Sequence, residues 1–139
     1  MIDKRDPDAV MATSDSEPKS LPVYLRNNLF ETMLSNGATF INSVLQDGTD
    51  INFQDEEGMT PLHHAAALGA RPCIRLLVNS GKCDYLLQDN LGRYASDLAI
   101  EWARDYAVGR LLTKHQVRQA YEQGVPAWSK AKIKELAAP

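Results

Sequence analysis

The chain has 139 residues, of which 44% are hydrophobic and 24% charged, with a formal charge of −3. That size suits one ordinary domain with a core of its own, and the mild acidity argues against a dedicated nucleic-acid binder, which is normally strongly basic. The two cysteines, Cys73 and Cys83, lack CxxC spacing and a paired His motif, so they fit small, buried, reduced residues better than a zinc site or a disulfide framework.

Residues 1–20 are rich in Asp, Ser, Pro and Lys and contain no continuous apolar run. A disordered leader is expected there, not a secretory signal peptide. Nothing in the chain approaches the roughly 20 apolar residues of a membrane span. The expectation is a cytoplasmic protein, with signal-less secretion as the other route open to such a chain.

From Leu21 the pattern changes. Leu25, Leu29, Phe30, Met33 and Leu34 recur at helical spacing, Asn36-Gly37 punctuates the chain, and Phe40, Ile41, Val44 and Leu45 make a second short apolar face. This predicts a helix, a turn and an antiparallel helix ending at Asp47-Gly48, each too short to be stable alone. A connector, Asp50 to Glu57, closes at Gly58.

Thr60-Pro61 then opens a helix carrying Leu62, Ala65, Ala66 and Leu68, with Thr60 as cap, Pro61 in the first turn and Gly69 as stop. Pro72 opens the next, with Ile74, Leu76, Leu77 and Val78, and Gly81 stops it. A connector with Asp89 and Gly92 leads to a third round. Ala95, Leu98, Ala99, Trp102 and Ala103 form its first helix, and Val108, Leu111 and Leu112 its second. Two further short helices are expected, one around Val117, Ala120 and Tyr121 and one after Pro126.

The spacing is periodic. Gly58 and Gly92, Asp55 and Asp89, Ala65 and Ala99, and Leu77 and Leu111 each lie 34 residues apart, and Gly48 and Gly81 lie 33 apart. Repetition at this period marks a solenoid of stacked helix pairs. The stretch from Asp55 through Gly58, Thr60-Pro61-Leu62-His63-His64-Ala65-Ala66 to Gly69 closely resembles the ankyrin-repeat consensus, and Ile74 to Gly81 matches its second helix and stop. The third repeat is degenerate: Tyr94-Ala95-Ser96 stands where Thr-Pro-Leu is usual. The first keeps only its helical spacing and the Asp47-to-Asn52 ending. Terminal repeats face water on one side and are expected to be atypical. One extra residue near Lys82 is expected to lengthen or twist the third finger.

The resemblance implies an all-α ankyrin solenoid of about three helix-turn-helix repeats with a C-terminal helical cap. The divisions are a tail at 1–20, repeats at about 22–54, 55–88 and 89–114, and capping helices at 115–139. Residues 114–139 carry five Lys/Arg against two acidic residues. Two readings stand for this end: a cap with Trp128 and Ile133 packed on the last repeat, or a docking helix with Lys130, Lys132 and Lys134 as its charged side.

By the same resemblance, His63 bonds to backbone between neighbouring connectors, and a partner protein is bound through turn tips and first helices. Carried over by position, the surface comprises Gln54, Glu56, Glu57, Met59, Ala67 and Leu68 in the middle repeat, and Gln88, Asn90, Leu91, Arg93, Glu101 and Trp102 in the third. The first repeat is too degenerate to map. Trp102 and Arg93 are the preferred anchors, since desolvated Trp and Arg side chains dominate interface energies. Met59 and Leu91 give apolar support. Packing against the C-terminal helices is the other reading of Trp102.

No H-E-x-x-H, G-x-S-x-G, Walker A or G-x-G-x-x-G string is present. Glu56-Glu57 reads as solvated charge. The expectation is therefore a non-catalytic adaptor, scaffold or inhibitor with no cofactor or metal, binding another protein and neither nucleic acid nor membrane. The alternatives are a regulatory, immunity or antitoxin-like subunit of an obligate complex, a secreted effector, or a small hydrolase using His64 with Glu or Asp.

Overall fold

The computed structural model describes residues 29–137, so the expected leader and the first residues of repeat one lie outside the described residues. Among those residues there are six helices and no strand element: α1 Leu29–Asp47, α2 Pro61–Leu68, α3 Arg71–Ser80, α4 Ala95–Glu101, α5 Tyr106–Gln123 and α6 Lys130–Ala137. In α1, Asn36 leaves helical geometry (φ −142°, ψ 39°), which breaks the run where Asn36-Gly37 was read as a turn. At the next residue, Gly37, a Cβ would sit 2.8 Å from Cys73 Sγ, so a side chain there would push α1 off α3.

The middle repeat forms for the reasons its residues suggest. Thr60 accepts from the His63 amide at the start of α2, while His63 Nδ1 accepts in return from the Thr60 amide at 3.2 Å, a reciprocal cap. Gly69 and Gly81 end α2 and α3 in the left-handed conformation. Leu62, Ala65, Ala66, Ile74 and Leu77 are buried in one continuous core with Leu29, Met33 and Ile41 before them and Leu98, Ala99, Val108 and Leu112 after them. α2 packs against α1 and α4 on either side, as a stack requires.

Two finger-like connectors, Asp55–Met59 and Asp89–Arg93, have one backbone design. In each, the aspartate carboxylate accepts the amides two and four residues on: Glu57 and Met59 in one (both 2.9 Å), Leu91 and Arg93 in the other (3.0 and 2.9 Å). Gly58 and Gly92 both have φ +77°. The extra residue near Lys82 leaves this tip unaltered. It is taken up at the finger's base, where Asn52 donates to the Lys82 carbonyl and accepts the Asp84 amide.

The C-terminal end departs from the sequence reading. One helix, α5, runs from Tyr106 to Gln123 in place of two, because no Gly or Pro interrupts the chain between Gly109 and Gly124. Its second half bonds to the end of the middle repeat and to the last one. Gln119 accepts the Tyr85 amide (2.7 Å) and donates to the Cys83 carbonyl (3.0 Å), and His115 stacks on Tyr85. Buried Gln116 accepts from Ser96 and donates to the Ala127 carbonyl. α6 is different: none of its residues is buried, and Ile133 is exposed, not packed as expected for a cap. Its tie to the stack is Lys132, 3.4 Å from Asp97. Burial opposes the charge on that lysine, but Asp97 and Glu135 outweigh it and raise its pKa.

Candidate partner-binding site

The two fingers and the ends of α1, α2 and α4 enclose an apolar slot of about 410 Å³. It is lined by Phe30, Glu57, Met59, His64, Ala67, Asn90, Leu91, Arg93, Leu98 and Trp102. Phe30, Leu91 and Trp102 leave 49, 76 and 65% of their surface open to solvent. Apolar side chains exposed together around a concavity mark interaction surfaces more often than isolated ones do.

The slot's geometry rests on the stack beneath it. His63 accepts at Nδ1, so its proton sits on Nε2, which donates to the Arg93 carbonyl at 3.0 Å and ties α2 to the next finger. Desolvation by burial holds the His63 pKa below its ordinary value. The fingers are also stitched side to side. Asn90 donates from its amide to the Glu57 carbonyl (2.9 Å) and from its side chain to the Glu56 carbonyl (2.8 Å). Gln54 bridges the Gly58 and Gln88 carbonyls, and Gln88 donates to the Gly92 carbonyl. Gly58 is required at this crossing, since a Cβ there would lie 2.8 Å from the Asn90 backbone nitrogen.

The expected surface residues therefore divide. Leu91 and Trp102 stand free at the slot mouth, Glu56 and Glu57 are exposed on the tip, and Ala67 and Leu68 are half-buried along α2. Glu101 is exposed at the end of α4 and borders a neighbouring groove with Lys132 and Glu135. Gln54 and Asn90 spend their side chains holding the fingers together, and Gln88 spends its own bracing the third finger from within. Met59, expected as apolar tip support, is only 8% exposed and belongs to the core, with one edge on the slot. Arg93, expected as an anchor, is occupied: its Nε donates to buried Asp89 at 2.8 Å while the guanidinium lies 6.0 Å from the Trp102 ring centroid. Trp102 remains open to solvent and does not pack under the C-terminal helices.

Phe30 was not foreseen. The signal was present in the spacing, because Phe30, His64 and Leu98 occupy one repeat position at 34-residue intervals. His64 is 2% exposed, lies 5.8 Å ring to ring from Phe30, and bonds through Nε2 to Asp55 Oδ2 at 2.8 Å. Away from the slot, Arg71 meets Asp105 with two bonds of 2.8 Å, and the guanidinium holds that carboxyl below its usual range.

Cys73 and Cys83 are free and buried, and burial pushes the Cys83 thiol up to about 12, which leaves it a poor nucleophile. Among the described residues, no three His, Cys, Asp or Glu side chains are grouped to hold a metal ion. Nor is any helix among them long and apolar enough to cross a membrane.

Comparison with known proteins agrees with this architecture. The family described as ankyrin repeats (3 copies) matches residues 29–121, and the chain belongs to that family. The chain is 45% identical over 62 residues to bovine ankyrin repeat domain-containing protein 37, a stretch covering 45% of this chain and 39% of that protein. It is 40% identical over 58 residues to mouse protein phosphatase 1 regulatory subunit 12A, covering 42% of this chain and 6% of the relative. It is 44% identical over 50 residues to the yeast probable 26S proteasome regulatory subunit p28, covering 36% and 22%. The chain thus spans well under half the length of these relatives. The repeats, with regulatory subunits among the relatives, mark a protein-interaction module.

Proposed function

We propose that this chain is a non-catalytic adaptor, scaffold or inhibitor that takes a partner protein into the slot and against the two finger tips. The observation that carries the reading is the trio Phe30, Leu91 and Trp102, which expose apolar surface around one concavity while the core beneath them is complete. A protein partner is favoured over nucleic acid because the one cation lining the slot among the described residues, Arg93, is already paired with Asp89, and Glu57 beside it is a carboxylate that would repel a phosphate. The two buried, unpaired thiols suit a reducing, cytosolic setting. A regulatory subunit of a larger complex is the variant of this reading that the relatives' names support.

A hydrolytic His64 has one observation in its favour, the 2.8 Å bond from Nε2 to Asp55. Nucleophilic catalysis would also need an activated nucleophile within reach, and no serine, threonine or cysteine lines the slot.

The test is affinity capture with the intact chain and a Leu91→Ser, Trp102→Ala variant. Both positions are open to solvent, so the variant is expected to keep its helical circular dichroism and melting temperature. A partner retained by the intact chain and lost by the variant supports the reading. Equal capture by both sinks it. Arg93→Ala is the poorer probe, because it would strand the buried Asp89 carboxylate and confuse folding with binding.

A further inference from the structure

His64 is the buried polar side chain on the slot wall, and half of its hydrogen-bonding capacity is spoken for. Its Nε2 faces the Asp55 carboxylate, which can only accept, so the ring proton sits on Nε2. Asp55 is itself fixed, because its other oxygen takes the Glu57 and Met59 amides. The tautomer is therefore set by the finger. It leaves His64 Nδ1 as an acceptor, and among the described residues nothing donates to it.

An acceptor without a partner inside an apolar enclosure carries a desolvation cost that a suitable donor would remove. The enclosure itself favours a large apolar group: Phe30, Met59, Ala67, Leu91 and Trp102 line it, and its 410 Å³ is at the smaller end of ligand-sized sites. One protein side chain joins a large apolar body to a polar group that donates and cannot accept, namely the indole of tryptophan. The rim adds a charge preference. Glu56 and Glu57 are exposed and have no cation against them among the described residues, whereas Arg93 is neutralised by Asp89.

We infer that the slot receives a basic segment of a partner protein, anchored by a tryptophan whose indole N–H donates to His64 Nδ1, with flanking Lys or Arg set against Glu56 and Glu57. The inference rests on the partner-binding reading of the slot and deepens it to a chemistry. A phenylalanine in the same place would fill the space and leave Nδ1 unpaired. Acidic flanks would meet two carboxylates.

The experiment is an NMR titration of the full ¹⁵N-labelled chain with three end-blocked peptides: Lys-Arg-Trp-Arg-Lys, the same peptide with Phe for Trp, and the same peptide with Glu at all four flanks. Amide shifts of Ala67 and Leu91 report occupancy, and the His64 imidazole nitrogens report the bond. The basic tryptophan peptide is expected to bind about tenfold tighter than the phenylalanine peptide, the worth of one hydrogen bond. The acidic peptide is expected to be weakest, and His64 Nδ1 to move with the basic tryptophan peptide and not with phenylalanine. Equal affinity for the Trp and Phe peptides, or an unmoved Nδ1, overturns the inference while leaving the slot as a binding site. Absence of slot shifts with all three at millimolar concentration overturns the inference and the partner-binding reading together.

Discussion

The middle finger, Asp55–Met59, and the third finger, Asp89–Arg93, share a backbone and differ in how they finish it. Both place an aspartate under the tip and a glycine at φ +77° beyond it. In the third finger the second carboxylate oxygen is met by Arg93, from the finger itself. In the middle finger it is met by His64, from the helix behind. The common part builds the stack. The divergent part makes one side of the slot a cation over an indole and the other an imidazole beside a phenyl ring. The stack and the slot lining use different atoms of the same few residues, so substitutions can separate stability from any binding at the slot.

The largest expected difference is at the two glycines. Gly58→Ala forces a left-handed φ on a residue with a Cβ and drives that Cβ into the Asn90 backbone, whereas at Gly92 the nearest atom is a flexible Gln88 side chain at 3.6 Å. Gly92→Ala should cost about 1–2 kcal/mol from backbone strain alone, and Gly58→Ala clearly more. Urea unfolding of the two variants measures the gap. Equal losses would mean that the fingers do not stack as closely as described.

Next come the first-helix caps. His63 and Asp97 lie 34 residues apart at the same repeat position, and each side chain accepts from the capping residue's amide. His63 additionally ties to the next finger. His63→Ala is expected to cost about 2–3 kcal/mol for the lost cap and the stranded carbonyl, and Asp97→Ala about 1 kcal/mol, within the range of a lost cap.

The same histidine sets a pH dependence. Burial holds His63 below its ordinary value of 6.5, and desolvation with neighbouring Arg118 and Lys114 does the same for His115. The unfolded chain then binds more protons than the folded one below that pH, so stability should be full above pH 6.5 and fall as the pH is lowered through the folded values. Thermal melts across that window check the sign, and removing His63 should flatten the slope.

The smallest effect belongs to the C-terminal helix. Lys132→Ala breaks two partly exposed ion pairs, to Asp97 and Glu135, and should change stability by no more than about 0.5 kcal/mol. Gln116→Ala, which opens the buried link from Ser96 to Ala127, should cost several times that. A large loss with Lys132 would make α6 a true cap.

The repeat architecture was readable because Gly and Asp recur where backbone geometry needs them, Thr60-Pro61 and His63 mark the middle repeat, and the 34-residue spacing survives even where Tyr94 replaces Thr. The slot was only half readable. Leu91 could be picked out because an apolar residue at a tip has no core to join, and Trp102 because a large aromatic stands at a partner-facing position of the third repeat's first helix. Gln54, Gln88, Asn90 and Arg93 look like free surface polars, yet their side chains are consumed in joining or bracing the fingers, and sequence does not say which hydrogen bonds a polar residue spends. Phe30 was hidden by the weak first repeat. The continuous α5 was hidden by a repeat template that ends a helix where the local residues simply continue it.

The most direct test of the account is site-specific photo-crosslinking. A photoreactive phenylalanine analogue placed at Leu91, at the slot mouth, is compared with the same group at exposed Arg110 on α5, outside the slot. The account predicts a discrete crosslinked partner from position 91, abolished when Trp102→Ala is added, and none from position 110. Equal crosslinking from both positions, or a product at 91 that survives Trp102→Ala, would contradict it.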